Sequence, residues 1–187
     1  INISMADNRK LNIVDENGKI IGMETRENIH NQGLLHREIH VWFYTPNSEI
    51  IFQHREKNKD TYPDLLDATV GGHVEIGSDY ENTALQELAE ETGIRAEKDN
   101  LVFIKMVRSK TFDTVTNKTN NVIRVIYAYC YEGKVEDLKI EEGKAIGFEL
   151  WPLEKIFNIS NEDIKRFIPA VFEKQNLEIF AKIKQLI

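Results

Sequence analysis

Short stretches in which apolar and polar residues alternate recur along the 187-residue chain. This period of two predicts β-strands with one buried face. The predicted strands lie at residues 11–25 (two strands), 39–45, 50–55, 101–112, 122–131 and 146–151. Asn17-Gly18 separates the first two strands and predicts a tight hairpin turn. The polar residues from Asp113 to Asn121 predict a mobile linker between two long strands.

Helix signals stand between and after these strands. Ser78 has the spacing of a capping box and predicts a helix that begins at Asp79. Gly93 is suited to the left-handed conformation in which such a helix ends. Pro152 predicts the start of a short helix at residues 153–157.

The last thirty residues predict a helical tail. Ser160 is suited to cap a helix, and Pro169 interrupts the helix or restarts it. Apolar residues after Pro169 recur at helical spacing and form apolar faces. Such a tail covers the core of its own chain or forms a dimer surface, and we expect intramolecular packing within a monomer or homodimer.

The composition is typical of a soluble globular protein, with 41% hydrophobic and 29% charged residues. No apolar run approaches the roughly 18 residues that a membrane-spanning helix needs, and no signal-peptide pattern opens the sequence. We therefore expect cytoplasmic residence and no membrane partner. The first four residues precede Met5, and we interpret them as a cloning remnant.

The charge pattern narrows the class of partner. A net charge of -7 without a basic stripe argues against nucleic acid as the main partner. A small anionic substrate is compatible with this charge when a metal ion supplies positive charge. One cysteine, Cys130, excludes an internal disulfide, and its strand-like surroundings predict a buried or half-buried, inert thiol.

Acidic residues concentrate in one segment. Between Lys59 and Arg95 the chain has nine carboxylates and no lysine or arginine. Glu87, Glu90 and Glu91 project within one sector of a helix, because each residue advances by about 100°. Like charges so placed repel one another, and we expect a cation from outside the chain to join them. Oxygen ligands favour Mg²⁺, with Mn²⁺ as a substitute.

The spacing around this helix resembles the signature of the Nudix family. The matching residues are Gly72, Glu87, Leu88, Glu90, Glu91, Gly93 and Ile94. Ser78 and Gln86 depart from the signature, which has a glutamate and an arginine at these positions. Gly71 and Gly72 follow a strand-like run, and we expect a sharp backbone bend there that exposes carbonyl groups.

The resemblance implies a fold and a division of the chain. The fold would be an α/β (α+β) class structure, a Nudix-type α/β/α sandwich with a mixed β-sheet. Residues 1–7 would form a disordered start, residues 8–157 the Nudix domain, and residues 158–187 a C-terminal helical extension.

The resemblance also implies a reaction, the Mg²⁺-dependent hydrolysis of a diphosphate linkage in a nucleoside diphosphate derivative or a related organic diphosphate. Glu90 and Glu91 would bind the metal together with the Gly72 carbonyl. Glu87 would serve as a further ligand or as the base that activates water. Glu141 and Glu142 lie on a loop where many Nudix enzymes place another carboxylate. Either one, with Glu142 as the candidate ligand, reaches the metal, or both are solvated loop charges.

Three residues outside the acidic helix are candidates for binding the substrate. Arg55 and Arg124 lie on predicted strands and either hold phosphates or pair with the acidic helix. His73 either contacts a phosphate or has a structural role. His36 and His40 have strand spacing, but without a cysteine or a third histidine nearby we do not expect a zinc site.

Two other functions fit the same signature. The N-terminal half is similar to Nudix proteins related to isopentenyl diphosphate isomerase. Gly71 stands where the isomerase has its catalytic cysteine, so we do not expect isomerase activity. The departures at Ser78 and Gln86 are also compatible with a module that binds a nucleotide or diphosphate without cleaving it.

Overall fold

The computed structural model describes residues 8–59 and 61–187. The expectation for residues 1–7 therefore lies outside the described residues. The strands are β1 (Lys10–Val14), β2 (Ile20–Thr25), β3 (His36–Thr45), β4 (Glu49–Arg55), β5 (Leu66–Asp67), β6 (Val70–His73), β7 (Leu101–Asp113), β8 (Lys118–Cys130) and β9 (Ala145–Pro152). The α-helices are α1 (Arg26–Gln32), α2 (Tyr80–Thr92), α3 (Leu153–Phe157) and α4 (Lys174–Lys184).

Seven strands form one mixed sheet, with β5, β4, β3, β8 and β7 adjacent in that order. β3 and β8 run parallel, and the other pairs are antiparallel. β6 pairs with β3, and β9 pairs with β4. The predicted mixed sheet is confirmed.

The first two strands form the predicted hairpin, a separate two-stranded sheet. Gly18 adopts φ 78°, a conformation that glycine reaches without steric cost. The Asp15 carboxylate accepts hydrogen bonds from the backbone amides of Asn17 and Lys19, which fixes the turn.

Helices cover both faces of the main sheet because side chains alternate along β3. Val41 and Phe43 pack against Leu88 of α2 on one face. Trp42 packs on the other face with Phe180 of α4, and the two rings meet edge to face with centroids 4.9 Å apart. The arrangement is the expected α/β/α sandwich.

The C-terminal residues build one wall of this core. The Ser160 hydroxyl accepts a hydrogen bond from the Asp163 amide at 3.0 Å, at the start of a 3-10 helix (Asp163–Arg166). Pro169 begins a second 3-10 helix (Pro169–Phe172), and α4 follows. Phe180 is fully buried, so the tail packs on its own chain.

Four local predictions are wrong. The cap of α2 is Asp79, whose carboxylate accepts from the Asn82 amide at 2.8 Å, so the helix begins one residue later than expected. Residues 113–121 are not a linker, because β7 and β8 continue as a hairpin closed by Asp113.

Gly71 and Gly72 form no bend and pair with β3 as part of β6. Cys130 is exposed at the end of β8.

Two further local predictions are confirmed, while α1 was not predicted. Gly93 ends α2 at φ 73°, and α3 follows Pro152. Within the described residues, no helix is both long enough and apolar enough to cross a bilayer.

We expect Phe180→Ala to lower the free energy of unfolding by about 3–5 kcal/mol, because it leaves a cavity between α4 and the sheet. Leu186→Ala is the control, since Leu186 is 42% exposed. Its effect should stay within about 0.5 kcal/mol. Urea denaturation measures both, and equal effects would show that the tail does not stabilise the core.

Candidate active site

Helix α2 holds the three glutamates in different environments. Leu88 and Ala84 are fully buried and fix the helix against the sheet. The Glu91 side chain is 1% exposed and that of Glu87 is 14% exposed. Glu90 is exposed and accepts a hydrogen bond from the Gln86 amide at 3.0 Å. The two buried carboxylates therefore face the sheet side, and Glu90 faces solvent.

A lysine joins the two buried carboxylates. Lys144 Nζ lies 2.8 Å from Glu87 Oε2 and 2.6 Å from Glu91 Oε1. It also lies 3.6 Å from Glu141 Oε2. The expectation that the chain supplies no cation to this cluster is wrong, because Lys144 comes from the loop before β9, far along the sequence.

Neutral groups also hold Glu91 in place. The side-chain amide of Gln53 donates a hydrogen bond to Glu91 Oε2. The Gly71 amide donates to Glu91 Oε1 at 3.4 Å. Burial raises the pKa of Glu91 above its ordinary value, and the Lys144 ammonium opposes this rise. Burial also opposes the charge on Lys144, but Glu91 and Glu87 raise its pKa above the ordinary value.

Gly72 lies directly against Glu87. A Cβ at position 72 would stand 2.6 Å from Glu87 Cγ, which is closer than real Cβ atoms approach other atoms. Only glycine lets β6 and this side chain lie so close. The signature glycine is needed for this close approach and not for a backbone bend, because Gly72 belongs to the regular strand β6.

A cavity of about 390 Å³ opens beside this pair. Glu87, Gly72 and Lys144 line it, together with His73 and Arg124. Further basic residues on its wall are Arg9, Lys10, Arg26, Arg55 and Lys59. The cavity therefore combines carboxylates with many cationic side chains, a combination suited to a metal-bound anion.

Both candidate arginines line the cavity but bind other partners. Arg55 donates from Nη2 to the Thr61 carbonyl at 2.8 Å and lies 3.4 Å from Asp67. Arg124 donates from Nε to Glu38 Oε2 at 2.7 Å, and this pair is buried. Neither of these two arginines takes the place of the signature arginine, because Lys144 pairs with Glu87 and Glu91.

The loop before β9 carries two glutamates near Lys144. Glu142 is exposed, and Glu141 is the one whose carboxylate approaches the ammonium. A ligand role for Glu142 stays a prediction.

Three histidines lie close together, and two of them, His30 and His73, line the cavity. His30, His36 and His73 place one ring nitrogen each within 4.8 Å of the others, and the His36 and His73 rings stack with centroids 5.1 Å apart. We expected no further histidine near His36, and this is wrong. His73 of β6 and His30 of α1 both lie beside it. The set has nitrogen donors of the kind that zinc binds.

His40 does not join this cluster. It lies beside Gly71 and 4.0 Å from Glu38 Oε2. Burial lowers its pKa to about 4, and the neighbouring Arg124 adds to this effect. Burial also lowers the pKa of His36 and of His73. His36, His40 and His73 are therefore neutral at pH 7.

The chain is similar to a known protein family over most of its length. The NUDIX domain model matches residues 34–171, most of the chain. The chain belongs to the Nudix family. The resemblance found in the signature residues is confirmed, and the relatives named Nudix hydrolases support an enzyme of the hydrolase class. The narrower similarity to isomerase-related Nudix proteins stays a prediction.

Curated Nudix relatives come from bacteria and plants. An uncharacterized Nudix hydrolase of Clostridium acetobutylicum is 26% identical over 161 residues, covering 84% of this chain and 73% of the relative. Nudix hydrolase 3 of Arabidopsis thaliana is 25% identical over 179 residues, covering 92% of this chain and 23% of the relative. An uncharacterized Nudix hydrolase of Streptomyces coelicolor is 37% identical over 83 residues, covering 44% and 46%. The chain thus spans less than half of two of these three relatives.

Solved structures share the Nudix fold. A crystal structure from Deinococcus radiodurans has a TM-score of 0.63 at 18% identity and covers 93% of this chain and 98% of its own. The Nudix domain of Shewanella oneidensis NrtR, solved with ADP ribose, has a TM-score of 0.54 at 15% identity and covers 82% and 88%.

Sequence reasoning missed Lys144, Gln53 and His30. Gln53 and Lys144 lie 38 and 57 residues from the glutamates that they contact. No local spacing marks such contacts. The only available signal was electrostatic, because a buried acidic pair needs a cation from some part of the chain or the solvent.

The buried histidines predict a loss of stability at acid pH. A histidine with a lowered folded-state pKa stabilises the fold above its unfolded pKa, near 6.5, and this contribution disappears as pH falls toward the folded pKa. Between pH 7.5 and 5, we expect the wild type to lose about 2 kcal/mol more unfolding free energy than His40→Gln.

Urea denaturation at both pH values measures this difference. Glu91 titrates in the opposite sense, because its pKa is raised. Wild type and His40→Gln both contain Glu91, so its contribution cancels in the difference between them. If the unfolding free energies of wild type and variant changed equally with pH, the pKa of His40 would not be lowered in the folded state.

Proposed function

We propose that this chain is a Mg²⁺-dependent hydrolase of a diphosphate linkage in a nucleoside diphosphate derivative or a related organic diphosphate. The observation that carries the proposal is the close approach of Glu87 and Gly72 at the edge of a cavity with a cationic wall. Lys144 joins the buried Glu91 to Glu87 at this edge. Membership of the Nudix family supports the same reaction.

The donor set fits a hard divalent cation. Carboxylate oxygens of Glu87, Glu90 and Glu91 and the Gly72 carbonyl are ligands that Mg²⁺ and Mn²⁺ prefer. The absence of a side chain at Gly72 leaves room for the Glu87 carboxylate beside β6. A bound metal supplies charge neutralisation for the phosphate oxygens and lowers the pKa of a coordinated water.

The residues of the chain then have separate roles. Glu87 is a further metal ligand or the base. It is less buried than Glu91 and lines the cavity, so it is the better placed of the two to accept a proton from water. Gln53 fixes the orientation of Glu91. Arg124 and His73 lie on the cavity wall, where a diphosphate would gain hydrogen bonds from them.

A binding module without catalysis is the second candidate. It is favoured by the ion pairs of Lys144, which neutralise Glu87 and Glu91 within the chain. Gln86 adds no positive charge beside the helix, since it donates a neutral hydrogen bond to Glu90. Tight ligand binding without turnover would select this candidate.

A panel of diphosphates tests the hydrolase proposal. The panel includes ADP ribose, because a protein of the same fold was solved with that ligand. At millimolar Mg²⁺ we expect phosphate or nucleotide release from at least one member, lost on addition of a chelator. Glu87→Gln should lower turnover by about 100-fold or more. Glu132→Gln, the same change at an exposed residue outside the site, should have no effect. Equal turnover in the two variants would remove α2 from the active site.

Gly72→Ala tests the close approach of β6 to the acidic helix. The added methyl group would push Glu87 away, and we expect about a 100-fold loss of turnover, since small misplacements of a reacting group have effects of this size. The fold should persist in circular dichroism. Gly147→Ala is the matched control, because a Cβ there meets nothing within 4 Å. Full activity of Gly72→Ala would show that Glu87 can move without effect.

A further inference from the structure

We propose that Lys144 is an internal competitor of the divalent metal. In the metal-free protein its ammonium neutralises Glu87 and Glu91, and metal binding requires this side chain to leave and to pair with Glu141. The inference rests on the proposed metal site at α2, and it assigns to Lys144 control over the affinity of that site.

The ammonium group of Lys144 lies on oxygens that the metal would bind. Lys144 Nζ donates to one oxygen of each carboxylate, at 2.8 Å and 2.6 Å. These oxygens are among the proposed metal ligands. A second cation on the same oxygens would be repelled by the ammonium at short range. The two cations therefore exclude each other.

The contact between Lys144 and Glu91 is largely shielded from solvent. The Lys144 side chain is 24% exposed, and its partner Glu91 is 1% exposed. Salt screens such buried pairs much less than surface pairs. Removing the ammonium without a replacement would leave two buried carboxylates facing each other. The exchange is thus coupled to the arrival of another cation.

The loop before β9 fixes the backbone of Lys144 and leaves its side chain free to rotate. The Lys144 amide donates to the Glu141 carbonyl at 3.1 Å, and the Lys144 carbonyl accepts from the Glu56 amide at 3.1 Å. Gly143 adopts φ 75°, which completes the turn. The backbone is fixed at both sides, while the flexible methylene chain of lysine can rotate.

The same turn supplies an alternative partner. Glu141 Oε2 lies 3.6 Å from Lys144 Nζ, and within the described residues it accepts no hydrogen bond. Its side chain is 39% exposed as a whole, while Oε2 itself is buried. A small rotation of Lys144 toward Glu141 would free both oxygens on α2 and keep the ammonium paired.

A permanent structural ion pair is the competing explanation. In that case Lys144 would orient the carboxylates, much as the signature arginine would from position 86. Its removal would then weaken metal binding. Under competition, its removal strengthens metal binding. The two explanations predict opposite signs for one measurement.

Titration of the substrate-free protein with Mn²⁺, followed by the electron paramagnetic resonance signal of free Mn²⁺, decides the sign. We expect Lys144→Met to bind Mn²⁺ at least tenfold more tightly than the wild type. Lys98→Met removes the same charge from an exposed ion pair with Glu81 and should change the affinity less than twofold. Unchanged or weaker binding by Lys144→Met overturns the proposal.

Glu141→Gln provides a second test that keeps Lys144 on α2. We expect it to weaken Mn²⁺ binding several-fold in the wild type, because the displaced ammonium loses its partner. In the Lys144→Met background the same change should have no effect, which a double-mutant cycle measures. An equal effect in both backgrounds overturns the exchange of partners.

Failure of the hydrolase proposal gives a different result. If no diphosphate is cleaved but Lys144→Met tightens Mn²⁺ binding, the competition stands and hydrolysis fails. If substrates are cleaved and Lys144→Met leaves Mn²⁺ binding unchanged, hydrolysis stands and the competition fails.

Discussion

The buried charge of Glu91 is the constraint on which the site depends. A carboxylate with 1% of its side chain exposed needs a cation and hydrogen-bond donors, because the protein interior solvates charge poorly. Lys144, Gln53 and the Gly71 amide provide them from three separate parts of the chain. The position of α2, the path of β6 and the loop before β9 are thus tied together by one side chain.

This constraint is met at the edge of an otherwise apolar sandwich. Alternation along β3 sends Val41 and Phe43 to α2 and Trp42 to α4, so both faces of the sheet are closed by helices. The apolar layers fix α2 firmly enough to hold a repulsive carboxylate pair. Polar groups then concentrate around the cavity, where a small anionic ligand can reach them.

The chain departs from the family signature at Gln86, and the structure places positive charge beside the carboxylates by another route. A signature arginine would belong to α2 itself and would move with it. Lys144 belongs to a loop and also approaches Glu141. The charge that holds the carboxylates is therefore separable from the helix that carries them, which makes exchange with a metal ion physically reasonable.

The sequence by itself determined the elements whose signals are local. The hairpin at Gly18, the end of α2 at Gly93 and the grouping of glutamates on one helix follow from backbone preference and helical period. Only the tertiary structure decided that Lys144 neutralises Glu87 and Glu91 and that Gly72 is needed for close packing rather than for a bend. Such contacts join residues far apart in sequence, and their distances are fixed by how strands and helices pack, which no short pattern encodes.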